Sequence, residues 1–205
     1  MKGFDCASPT TAYAGQLAAL GYTFAGRYYR RGHHSTSLTK PEVAALHAVG
    51  IAILPVFEYK DALSYFTADN GAIDGKAAVA RATELGQPTN TAIYGAVDTD
   101  ITKGTLPAVK AYWEPFARAV KGAGYGVGVY GDDLVLKELT AWHIPNWGDA
   151  ADHAWLTNAR GWIGDKAFAD WDVKQTTLPF TLPFGLQIDG DEAKGHVEAG
   201  LWRPA

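Results

Sequence analysis

Thr91 to Asp100 reads TAIYGAVDTD. Its first seven residues are small, β-branched or aromatic and carry no charge. A strand covered on both faces shows such a continuous apolar run rather than an alternation. Two carboxylates then arrive, Asp98 and Asp100, one residue apart. Residues i and i+2 of a strand point to the same face. If the strand lasts through Asp100, both carboxyls leave its C-terminal end on one side. Two like charges that close cannot both ionise freely, so one is pushed toward its protonated form. A protonated and an ionised carboxyl at one strand end are the pair that glycoside hydrolysis uses.

Outward from this stretch the chain alternates strand and helix. Strands are expected at Gly3–Cys6, Tyr22–Tyr29, Ile51–Phe57, Gly126–Gly131, His153–Thr157, Trp171–Gln175 and Leu186–Asp189. Between them fall helices: one capped by Ser8 and entered through Pro9, one opened by the Thr39…Glu42 capping box, one over Ile73–Leu85, one over Leu106–Ala123 with Pro115 inside, and one capped by Asp132. Pro55 removes one ladder donor from its strand, so irregularity is expected near that strand's end. Pro115 is expected to kink its helix. Residues 59–70, 159–170 and 176–185 read as loops. Eight strands in this rhythm predict an α/β fold, a single (β/α)8-type, TIM-like barrel over residues 1–205, irregular in its last third.

The composition narrows the function. At 205 residues and 47% hydrophobic content, the chain can bury one substantial core. The net charge of −4 and the lack of any basic cluster beyond Arg30-Arg31 argue against nucleic acid as a partner. One cysteine, Cys6, excludes an internal disulfide. The N-terminal residues show no apolar targeting region, so neither a signal peptide nor a membrane span is expected. No cofactor is implied, and a monomer is expected. Seven Trp and ten Tyr suit stacking on sugar rings, and equally suit filling a core.

In such a barrel the chemistry sits at the C-terminal ends of the strands. On this strand reading those ends carry Asp5, Glu58, Asp98 with Asp100, and Asp189 with Asp191. Asp at such positions also caps helices, but carboxylates at four separate strand ends of one crowded mouth are costly unless they are used.

The segments GFDCAS, LPVFEY, AVDTD, WDVKQ and QIDGD resemble, as spaced motifs over nearly the whole chain, the glycoside-hydrolase-like barrel related to the family-25 lysozymes (muramidases). Those lysozymes carry an Asp on the first strand, an Asp-x-Glu on the fourth, and a late Gln-bearing strand followed by an Asp-containing turn. The resemblance implies that Asp5, Asp98, Asp100, Gln175 and Asp189 occupy the corresponding places. Position 100 departs from it: Asp100 is one methylene shorter than the family's Glu. That costs about 1.5 Å of reach, where a 1 Å misplacement can cost about 100-fold. Glu58 has no counterpart in the true lysozymes, and resembles the related glycoside-hydrolase-like group instead.

The expected chemistry is cleavage of β-1,4 bonds in peptidoglycan or a related N-acetylated polysaccharide. The catalytic set is Glu58, Asp98, Asp100 and Asp5. Glu58 or Asp100 protonates the leaving oxygen, and Asp98 stabilises the developing positive centre or orients the N-acetyl group. Asp189, Gln175, Tyr130 and Trp155 bind substrate. A compact wall hydrolase without an export signal fits a phage endolysin, made in the cytoplasm and acting on the wall. Two other readings stay open: a non-catalytic wall-binding barrel, which the loss of Glu at position 100 favours, and a metal-dependent hydrolase using Asp98, Asp100 and Asp189 as oxygen ligands. The histidines (His33-His34, His143, His153, His196) lack the spacing of a zinc site.

Overall fold

The computed structural model describes every residue except 33, 145–147, 163–166 and 205. Eight strands close a barrel: β1 Lys2–Asp5, β2 Phe24–Tyr29, β3 Ala52–Phe57, β4 Ala92–Ala96, β5 Gly126–Gly131, β6 His153–Leu156, β7 Val173–Thr181 and β8 Gln187–Ala193, in the order β1-β8-β7-β6-β5-β4-β3-β2. Five α-helices cover its outside: α1 Ala14–Ala19, α2 Lys40–Ala48, α3 Ala68–Leu85, α4 Leu106–Gly122 and α5 Asp133–Thr140. The TIM-like closure expected from the sequence is present.

The last third departs from the βα rhythm. β8 runs antiparallel to both neighbours, β1 and β7. It forms a hairpin with β7, which runs to Thr181 and so takes in the first six residues of the stretch 176–185 read above as a loop. The outer half of β7, Thr176–Thr181, is largely exposed on both sides. It is held by ladder hydrogen bonds and not by burial, so its hydrophobic pattern carries no strand signature. Reversing β8 also changes how its acids reach the mouth. Asp189 pairs with Asp5, and Asp191 with Gly3. The acids therefore lie within β8, Asp189 in its N-terminal half and Asp191 just past its middle, not beyond its C-terminal end.

Strand alternation sorts the core into two layers. Phe24 of β2, Leu54 and Val56 of β3, Tyr94 and Ala96 of β4, and Trp155 of β6 fill the barrel, with Tyr28 and Tyr130 packed on them. Ala25, Tyr29, Ile53, Phe57, Ile93, Val97, Val127 and Val129 face outward beneath the helices. Large inward rings are matched by inward glycines. A Cβ on Gly128 would stand 2.4 Å from the Tyr94 ring, and one on Gly26 would stand 2.7 Å from Trp155 and from the Asp5 Cβ. This is why β5 is poor in side chains.

Local details correct the sequence reading. The first helix is not capped by Ser8: a 3-10 turn at Thr11–Tyr13 precedes a six-residue α1. Thr39 does cap α2, accepting from the Glu42 amide. The Glu42 carboxylate does not close a capping box. Fully buried, it takes hydrogen bonds from the Thr10 amide and hydroxyl and from Arg27 Nε at 2.7 Å. α3 starts earlier than expected, capped by Thr67, and Gly86 closes it in the left-handed region at φ 79°. α4 runs as one helix through Pro115. β3 keeps an unbroken six-residue register with β2 across Pro55. Its irregularity lies on the other edge, where only Val56 and Phe57 pair with β4. Below them the strands part, and residues 199–202 fill the gap. Trp202 pairs with Ile53, the Gly200 carbonyl accepts from the Ala92 amide, and the Tyr94 hydroxyl donates to the Ala199 carbonyl.

Candidate active site

The inward alternation continues past the strand ends. Tyr28 follows Phe24 and Gly26, Glu58 follows Leu54 and Val56, Asp98 follows Tyr94 and Ala96, and Tyr130 follows Gly128. Asp5 is the last residue of β1. These five converge at the barrel mouth on a cavity of about 20 Å³, floored by Trp155. That is room for about one water molecule. β4 ends at Ala96, and Asp98 is carried inward by the turn that follows, in which the Val97 amide donates to the Tyr130 carbonyl.

Glu58 and Asp98 face this cavity in unlike electrostatic settings. Burial raises the Glu58 carboxyl and the Asp61 charge adds to that. Arg30, with Nη2 at 3.2 Å from Oε1, pulls it back. Arg30 also donates to the Glu58 carbonyl at 3.1 Å, so the guanidinium clamps the residue at two points. Asp98 is pushed up to about 6 by burial first, then by the negative charges of Glu58, Asp61 and Asp189, with Arg30 opposing. Both carboxyls are thus raised, Asp98 to about 6, and the ion pair with Arg30 is made by Glu58 alone.

Asp5 sits deeper, 5% exposed, and is pushed up to about 7 by burial and by Asp189. Gln175 Nε2 donates to its Oδ2 at 2.9 Å. The Gln175 oxygen in turn accepts from the Asn158 amide at 3.0 Å and the Tyr130 hydroxyl at 3.2 Å, and Tyr130 also meets Thr157 at 2.8 Å. Gln175 is thus a buried strut that orients Asp5. Trp155, expected at a sugar subsite, is 1% exposed. Its ring lies edge-on to Tyr130 and Tyr94, at centroid distances of 5.1 and 5.9 Å. It therefore offers no face to a sugar, and its Nε1 donates to Asp191 Oδ1 at 3.1 Å.

Of the other expected residues, Asp189 is partly exposed at the rim, where its charge acts on Asp5 and Asp98. Asp100 does not line the cavity. β4 stops before it, the chain turns, and its charge bears instead on Asp132, the cap of α5. Three participants were absent from the sequence assignment, Arg30, Tyr28 and Asp61, and Asp191 was placed among the strand-end acids without a role. Tyr28 was within reach, because the even-numbered positions of β2 all point inward. Arg30 and Asp61 lie beyond strand ends and carried no signal.

Larger hollows lie away from the mouth. One of about 760 Å³ runs along the flank beside α5, and one of about 330 Å³ lies under the base near Thr91 and Arg203. Among the described residues no three His, Cys, Asp or Glu side chains are arranged to hold a metal ion. No helix among them is long and apolar enough to cross a membrane. Cys6 is buried and its thiol is pushed up to about 12, chiefly by burial. His33 lies outside the described residues.

A family model described as Rv2525c-like, glycoside hydrolase-like domain matches residues 15–192. FadG of Bacillus subtilis (strain 168) is 30% identical over 141 residues, which are 63% of this chain and 24% of that protein. The chain therefore spans about a quarter of the length of that relative. The Tat-secreted protein Rv2525c of Mycobacterium tuberculosis, in complex with L-tartrate, superposes with a TM-score of 0.75 at 18% identity, covering 98% of both chains. The modular autolysin LytC of Streptococcus pneumoniae, in complex with a synthetic peptidoglycan ligand, superposes with a TM-score of 0.61 at 13% identity, covering 93% of this chain and 46% of that one.

Proposed function

The chain belongs to the Rv2525c-like, glycoside hydrolase-like domain family, and from that premise we propose that it hydrolyses β-1,4 glycosidic bonds in peptidoglycan or a related N-acetylated wall polysaccharide. One observation carries the reading: Glu58 and Asp98 meet at one cavity, and of the two only Glu58 is ion-paired, with Arg30 at 3.2 Å. Asp98 holds its proton up to about pH 6 and faces the mouth, as a general acid must. Glu58, clamped by Arg30, supplies the negative charge that stabilises an oxocarbenium-like centre. This ordering exchanges the roles first given to the two residues, and leaves Asp100 outside the proton transfer. The peptidoglycan ligand of the LytC complex lends support to the substrate class.

The proposal extends to a bacteriolytic, endolysin-like role at the cell wall. Purified peptidoglycan is the substrate to test, with analysis of the new reducing ends to separate muramidase from glucosaminidase action. Glu58→Gln and Asp98→Asn are each expected to lose at least about 100-fold in turnover. Asp98→Asn alone should recover on an aryl glycoside, whose leaving group needs no proton. Wild-type turnover in both variants would overturn the proposal, and binding without turnover by the wild type would favour a carbohydrate-binding barrel.

A further inference from the structure

Beneath Asp5 lies a second carboxyl that the proposed reaction does not use. Asp191 is 3% exposed. Its Oδ1 accepts from Trp155 Nε1 at 3.1 Å, whereas its Oδ2 is buried with no donor among the described residues. β8 lies directly beside β1, with Asp191 opposite Gly3 and Asp189 opposite Asp5. Gly3 has no side chain to separate the Asp191 carboxyl from that of Asp5. The groups bearing on the two carboxyls are Asp189 on β8, Asp98 beyond β4, Gln175 on β7, Trp155 on β6, Tyr28 on β2, Tyr130 on β5 and Cys6 just after β1, none of them a cation. A buried carboxylate with one hydrogen bond and only acids for charged company is unfavourable. A carboxylic acid in the same place is satisfied on both oxygens.

We propose that Asp191 is a neutral acid whose Oδ2 hydrogen is donated to Asp5, making it the positioning residue that fixes the Asp5 carboxyl in the floor of the cavity. Asp5 then takes one hydrogen bond from Gln175 on one side and one from Asp191 on the other. The charge packed beneath Asp98 and Glu58 is one unit less than the count of carboxyls suggests. Burial and the adjoining Asp5 both push Asp191 well above the carboxylate range, in agreement with this arrangement. The part played in turnover rests on the glycosidase reading. The protonation state of Asp191 does not.

Two kinds of measurement test it. The first needs no activity: carboxyl carbon resonances of the Asp side chains are followed by NMR from pH 4 to 8 in the wild type, Asp191→Asn and Asp191→Ala. An Asn amide can accept from Trp155 and donate to Asp5 as the neutral acid does. Asp191 itself is expected to show no midpoint in this range. The Asp5 midpoint should stay within about half a pH unit in Asp191→Asn and rise by about one in Asp191→Ala, which lacks the donor. An Asp191 midpoint below about 5, or an Asp5 midpoint at least about one pH unit lower in Asp191→Asn, would overturn the inference. If Asp191→Ala does not fold, the wild type and Asp191→Asn still decide it.

The second measurement is the pH profile of kcat/KM. Asp191→Asn should follow the wild type, and Asp191→Ala should lose about tenfold or more with a displaced profile. An unchanged rate and profile in a folded Asp191→Ala would remove the positioning role. A wild type with no turnover at all would sink the glycosidase reading while leaving the NMR result to judge Asp191.

Discussion

Replacing Asp98 with Asn should stabilise the fold while it abolishes turnover, and the gain should depend on pH in a defined direction. The Asp98 carboxyl titrates near 3.8 when unfolded and is pushed to about 6 in the fold. A raised acid pKa means that the folded chain binds the extra proton. Wild-type stability is therefore undiminished below the unfolded value, falls as pH rises from about 4 through 6, and stays lowered above that. Asn has no proton to lose. The difference between variant and wild type should be close to zero near pH 4 and full-sized by pH 8. A rise from near 4 to near 6 is equivalent to about 3 kcal/mol at most. Asp98 is partly open at the mouth, so solvent screening brings the expectation down to about 1–2 kcal/mol. Urea unfolding at pH 4.5, 6 and 8, followed through the tryptophan fluorescence, reads this directly if the slopes of the two proteins agree. A destabilised variant, or a gain equal at all three pH values, would refute the reasoning, because it would place the effect in packing rather than in the charge.

Three further outcomes follow from the geometry. Trp155→Phe puts a smaller ring in a buried place and leaves Asp191 Oδ1 without its donor, and should cost at least about 1–3 kcal/mol in urea unfolding. Gly128→Ala drives a methyl to 2.4 Å from the Tyr94 ring. Tyr94 is sealed against Trp155 and tied to Ala199, so a loss of about 1–3 kcal/mol is expected, against near neutrality for a glycine with open space such as Gly15. Glu42→Leu strips Arg27 of its buried partner and should cost about 3–5 kcal/mol or prevent folding, as measured by the melting transition.

The barrel was legible because β3 to β5 are uncharged runs between well-signalled helices, and the mouth was legible because Asp5, Glu58 and Asp98 each end an uncharged run. Other parts depended on distant contacts. β7 beyond Gln175 is exposed on both faces, so only its pairing with β8 makes it a strand. Glu42 has the spacing of a capping box, yet its carboxylate serves Arg27, a cation on the outward face of β2 that no local pattern announces. Asp100 was misplaced by one assumption, that β4 continues for four residues past Ala96. Trp155 was read as a sugar platform because aromatic residues at strand ends suit both mouth and core. Its neighbours Gly26 and Gly128 leave room for it and for Tyr94 inside.

The wedge of residues 199–202 between β3 and β4 bears on when this molecule comes into being. A ribosome emits β1 to β5 and all five helices before β7, β8 and the wedge exist. Asp5 must wait for Gln175, 170 positions downstream, and the parted base of β3 and β4 waits longer still. A nascent or truncated chain lacking those last segments can collapse around its helices, but it has an open seam and an unbraced Asp5. The assembled mouth would thus arrive in one late step, when the ring shuts.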